Sequence, residues 1–122
     1  MNTKINYMYR DASNYKQHNE AVVYGTLTEA QKQEIQDALS EGEYFIPCQV
    51  GLPEKRFDKV NLQDDHCWFE LQEIVETDAE PTEGISAEEV YQNFLNVQGK
   101  WDEFRWLLNV DIDNEEQGED EA

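Results

Sequence analysis

The chain has 122 residues, the size of one ordinary domain, which leaves room for a single modest core and excludes multidomain machinery. Its 28 Asp and Glu against nine Lys and Arg give a formal net charge of -19, which excludes a conventional grip on a phosphate backbone, because that needs clustered cations. With 39% hydrophobic residues, among them three Trp, six Tyr and five Phe, the chain still has enough apolar surface to fold.

From the N-terminus, Ile5, Tyr7 and Tyr9 alternate with Asn6, Met8 and Arg10, and the side-chain period of two predicts a strand with those three on one face. The turn formers of Asp11 to Asn19 interrupt the pattern. Ala21 to Leu27 resumes it as a second strand that pairs with the first in a hairpin. Thr28 and Gln31 form a capping box that opens a helix over about 29–41, with Ala30, Ile35, Ala38 and Leu39 as its buried stripe and Gly42 as its stop. The segment from Tyr44 to Pro53 is apolar, but Pro47, Gly51 and Pro53 forbid a long regular element there. Cys67, Phe69, Leu71 and Val75 then predict one face of a third strand, with Trp68, Glu70, Gln72 and Glu76 on the other. An acidic linker over Thr77 to Gly84 leads to a second capping box, Ser86 with Glu89, and to a helix with Val90, Tyr91, Phe94 and Leu95 on its buried side. Gly99 ends it, and Trp101, Phe104, Leu107 and Leu108 recur at helical spacing as a short third helix. The expected fold is α+β, order ββαβαα. It comprises a small antiparallel sheet of about three strands with two to three helices in a single domain over 1–110.

The acidity is lopsided. Residues 1–61 carry nine acids and seven bases, whereas 62–122 carry 19 acids and two bases. Asp111 to Ala122 holds seven acids and almost nothing apolar, so 111–122 is expected to be a disordered acidic tail. Without that tail, residues 62–110 still have 12 acids and two bases, an acidic surface on the folded part.

No apolar run approaches the roughly 20 residues of a membrane span, and MNTKINYMYR lacks the apolar segment of a signal peptide, so a cytoplasmic location is expected. Cys48 and Cys67 are read as reduced thiols. His18, Cys48, His66 and Cys67 are the right donors for zinc, but they lack ligand spacing, and neither a metal nor a cofactor is expected. Asp64, Asp65 and His66 could suggest a general base, yet no nucleophile accompanies them. Turn aspartates ahead of a strand are the simpler explanation, and no catalytic role is expected. Phosphate loops, nucleophile elbows and HExxH helices are all lacking.

Two binding surfaces remain. The first is acidic: Glu76, Asp78, Glu80, Glu83, Glu88, Glu89, Asp102 and Glu103 as phosphate surrogates, with Trp101 or Trp106 as an aromatic anchor for a basic protein partner, a nucleic-acid-binding enzyme or complex. The second is a small anionic ligand, such as a nucleotide, held by Arg10, Asn14, Lys16 and Arg56; the competing view of that loop is that its polar residues only fix its geometry.

Through YRDASNYK (Tyr9 to Lys16), EYFIPCQVGLP (Glu43 to Pro53) and DDHCWFEL (Asp64 to Leu71), the chain resembles a group of small bacterial and mobile-element proteins of no known activity. The likeness spans about residues 7–77 and implies no site residues. In size and acidity the chain is similar in character to anti-defence proteins, including anti-restriction and anti-CRISPR inhibitors that imitate DNA. The expectation is therefore a non-catalytic acidic protein that docks on a basic surface of a nucleic-acid-handling protein and inhibits it, with ligand sequestration as the alternative.

Overall fold

In a computed structural model of the protein, residues 1–54 and 66–102 are described. Strands β1 (Asn2–Arg10) and β2 (Lys16–Tyr24) form the expected hairpin, but β2 begins at Lys16 and ends at Tyr24, not over Ala21 to Leu27, because Lys16 to Glu20 pair with β1 and leave only a tight turn. Helix α1 (Glu29–Ala38), a two-residue strand β3 (Tyr44–Phe45), strand β4 (Phe69–Thr77) and helix α2 (Ala87–Val97) follow. All pairings are antiparallel, in the order β2-β1-β4-β3. The α+β class holds, with four strands where about three were expected. The addition is β3, which the prolines and glycine of its neighbourhood shorten to two residues but do not abolish.

Both helices lie on one face of the sheet. Ile5, Tyr7 and Tyr9 are buried on that face as their alternation predicted, and they meet Ile35, Ala38 and Leu39 from α1 and Ala87, Val90 and Phe94 from α2. Aromatic rings fill the centre: Tyr7 stands edge-on to Phe45 at 5.5 Å, and Phe94 lies 5.5 Å from Phe45 and 6.1 Å from Trp101. Tyr7 is fully buried, and its hydroxyl donates to the Pro53 carbonyl at 2.6 Å. Burial, then the nearby Glu83 and Glu54 carboxylates, push that phenol far above its ordinary value. Gly51 takes φ +89 beside Ile85 and Asn93, a left-handed backbone conformation that favours glycine.

Three sequence expectations are corrected. Ala30 is exposed, because α1 turns only its C-terminal half, Ile35, Ala38 and Leu39, into the core. In β4 the register slips between Asn6 and Tyr7, so that Gln72 is skipped in the strand pairing with β1. This bulge reverses the alternation beyond it, so Leu71 and Ile74 pack on the core and Val75 does not share their face. Trp101 follows α2 as non-helical chain, and the rest of the expected third helix, with the 111–122 tail, lies outside the described residues. Both capping boxes are present: Thr28 and Gln31 bond reciprocally at α1, and Ser86 and Glu89 do so at α2.

Beyond β4 the chain crosses the end of β1, where Asn2 Nδ2 donates to the Ala79 carbonyl at 2.9 Å, and reaches the outer edge of β2. There Thr82 N donates to the Val22 carbonyl at 2.8 Å, Val22 N donates to Thr82 Oγ1 at 2.8 Å, and Ser86 bridges Tyr24. The linker thus shields the C-terminal half of an edge strand and delivers α2 to the core. Among the described residues no helix is long and apolar enough to cross a membrane.

Candidate functional site: an open acidic face and a closed polar cluster

The structure divides the acidic residues singled out from the sequence into two places. Glu76, Asp78 and Glu80 are exposed along the path from β4 to the edge of β2, and Glu83, partly buried on the same path, accepts from Thr82 Oγ1 at 2.9 Å. Glu88 and Glu89 continue that path into the first turn of α2. Glu89 is committed to the cap, accepting from Ser86 N at 2.9 Å, and Glu88 ties the helices together by accepting from Gln31 at 3.1 Å and Gln92 at 3.0 Å.

Trp101 and Asp102 lie past the other end of α2, whose 11 residues span about 16 Å. Trp101 packs on Phe94 and Trp68, and its indole N–H donates to the Ala38 carbonyl at 3.2 Å, which places it as a core staple beyond the C-terminus of α1. Asp102 is exposed, with its main chain tied to Gln49. Glu103, Trp106 and Arg56 lie outside the described residues, as do Asp64 and Asp65.

The helix pair supplies two residues that the sequence reading did not select. Tyr91, partly exposed on α2, donates to Glu34 Oε1 on α1 at 2.6 Å. That hydrogen bond, together with the charges of Glu34 and Glu88, raises its phenol above the ordinary value. A carboxylate from the nearly neutral first half and one from the acidic second half therefore both act on the same phenol. Only the pairing of α1 with α2 creates this arrangement; the sequence analysis placed Tyr91 on the buried side of its helix, and its hydroxyl instead reaches Glu34 across the helix pair.

Negative charge prevails on the described surface. Thirteen carboxylate residues are exposed, against two exposed cations, Lys16 and Lys100. The ion pairs between described residues are Arg10 with Glu70 and Lys32 with Glu29, both at 3.1 Å.

The loop selected as a ligand site is built differently. Arg10 Nε donates to Glu70 and Nη1 donates to Asn14 Oδ1 at 3.0 Å, so its guanidinium is neutralised within the chain. Asp11 Oδ1 accepts from Ser13 N and Tyr15 N, each at 2.9 Å, and Asn14 takes the left-handed conformation at φ 69, a turn held by its own side chains. Lys16 is exposed at the start of β2, opposite Arg10. His66 closes the cluster. Its Nε2 lies 2.7 Å from the Arg10 carbonyl and its Nδ1 accepts from Trp68 N at 3.1 Å, which assigns the neutral Nε2–H tautomer and occupies both nitrogens. Arg10, Asp11, His66 and Glu70 line a cleft of about 470 Å3 with Ser40, Glu41, Tyr44 and Trp68.

His18 is exposed on β2, Cys48 is exposed and Cys67 buried, and the two cysteines are not joined. No group of three or more His, Cys, Asp or Glu among the described residues is placed to hold a metal ion. No family model, curated protein or solved structure matches the chain.

Proposed function

We propose that this chain is a non-catalytic acidic binding protein that docks on a basic surface of a nucleic-acid-handling protein and inhibits it as a DNA mimic, the manner of action of anti-restriction and anti-CRISPR inhibitors. The observation that carries the reading is the set of 13 exposed carboxylate residues against two exposed lysines among the described residues, on a folded frame. A duplex presents one charge per about 1.7 Å of axis, and a protein that binds it must keep its cations exposed and unpaired. A rigid array of carboxylates offers those cations the same attraction and accelerates encounter by long-range steering. Tyr91, hydrogen-bonded to Glu34, adds the flat amphipathic contact that charge alone does not supply. The reading as a small-anion or nucleotide binder has less support, because Arg10 is already paired with Glu70 and Asn14.

The test is capture of a partner on the immobilised chain at low salt, followed by competition with duplex DNA on the purified pair. Binding that falls steeply with salt and is mutually exclusive with duplex supports the reading. A complex indifferent to duplex, or held as tightly by a chain with Glu34→Gln, Glu76→Gln, Asp78→Asn, Glu80→Gln and Glu88→Gln together, would end it.

A further inference from the structure

Strand β2 is an edge of the sheet, and its two halves are treated differently. The outward N–H and C=O of Val22 are bonded to Thr82 and Glu83, and Tyr24 is bridged to Ser86. Outward-facing groups recur every second residue, so those of Lys16, His18 and Glu20 point the same way as Val22's, and no described residue bonds to them. Lys16, His18 and Glu20 are also exposed. The exposed large hydrophobic side chains among the described residues are Met1, Tyr15 and Tyr24, all on or beside this hairpin, and two of them bracket β2.

We propose that the open half of β2, Lys16 to Glu20, pairs with the same segment of a second copy of this chain, joining two sheets about a twofold axis at His18. The register is dictated by the ends. On one side Thr82 has taken Val22, and on the other the Asp11–Tyr15 turn closes the hairpin, so five residues are available. The antiparallel register that pairs all five sets His18 against its own copy and Lys16 against Glu20 of the second copy, twice by symmetry. About six main-chain hydrogen bonds then form, each charged residue faces its opposite, and Tyr15 of each copy reaches the end of the other's covered segment. The hairpin is also where two such acidic chains can approach: through Thr28 it holds three cations and two acids, in a protein whose net charge is -19. Edge pairing is otherwise discouraged by unmatched charge; here the charges match themselves.

Sedimentation equilibrium of the full chain at about 0.15 M salt, where charges more than about 8 Å apart are screened, is the measurement. The expected mass rises with concentration toward twice 14.3 kDa. Lys16→Glu places like charges across both symmetric pairs and is expected to weaken the dimer by about tenfold or more, and Lys16→Glu combined with Glu20→Lys is expected to restore it. His18→Pro removes an outward N–H that β1 does not use and is expected to abolish association while the fold, read by circular dichroism, survives. A chain that stays monomeric up to about 1 mM, the weak end of specific association, overturns the proposal. So does a dimer that ignores Lys16→Glu or is not recovered by the double exchange.

Discussion

The Arg10 cluster and the α1–α2 face are both rich in charge, yet they are opposite in what they leave over. Around Arg10 the main polar groups are answered from within: the guanidinium by Glu70 and Asn14, the imidazole by Arg10 and Trp68, the Asp11 carboxylate by the turn it caps. On the helix face, Glu34 and Glu88 are bonded only to neutral groups, and Glu76, Asp78 and Glu80 extend the uncompensated charge along the linker. A hydrogen bond from a glutamine or a tyrosine orients a carboxylate without cancelling its charge. The first region therefore ties its charges into the fold, and the second carries charge that no cation among the described residues pairs.

The contrast is broken most severely by removing the charge. Replacing Glu34, Glu76, Asp78, Glu80 and Glu88 by their amides is expected to weaken a basic partner's binding by about 100-fold or more, about 3 kcal/mol, and to flatten its salt dependence. The same variant is expected to unfold at an unchanged or higher temperature, because self-repulsion has been relieved. A marked fall in thermal stability would show that these carboxylates belong to the frame.

The cluster should answer in the opposite way. His66→Ala leaves the Trp68 N–H and the Arg10 carbonyl without their partner in a partly buried place, an expected loss of about 2 kcal/mol in denaturant unfolding. Partner binding should stay within about twofold for the molecules that remain folded. A smaller effect comes from Glu89, which is both acidic and a cap. Glu89→Gln preserves the reciprocal bond with Ser86 and should leave stability nearly unchanged, whereas Glu89→Ala should cost about 0.5–1 kcal/mol in the same unfolding experiment.

Much of the frame was legible because it is governed by local rules. The alternation of Ile5, Tyr7 and Tyr9, both capping boxes and the stop at Gly99 each depend on residues a few positions apart. What escaped was set at a distance. β3 exists because Tyr44 and Phe45 find Glu70 and Phe69, and the bulge at Gln72 emerges only in the register with β1. The site was half legible for the same reason. Counting charge located the acids of the linker and α2, but it could not show that Arg10 would be neutralised by a residue 60 positions away. Nor could it show that Glu34 would stand beside Tyr91, or that Trp101 would turn inward to Ala38.

The finest probe of the open face is the Tyr91 phenol, whose titration reads the potential around it. Its hydrogen bond to Glu34, then desolvation and the charges of Glu34 and Glu88, all favour the neutral form, so its folded value stands above that of the unfolded chain. A group shifted in that direction adds stability that is complete below the unfolded value, near pH 10, and is lost as the pH climbs through the folded value. In a spectrophotometric alkaline titration, Glu34→Gln should bring Tyr91 back toward the ordinary range, with Tyr91→Phe identifying its part of the signal. Glu88→Gln should move it in the same direction by less, since Glu88 acts through charge alone. Saturating the chain with a basic partner should lower it too, because cations over the face favour the phenolate. A Tyr91 that titrates identically with and without the partner would place the contact elsewhere on the molecule.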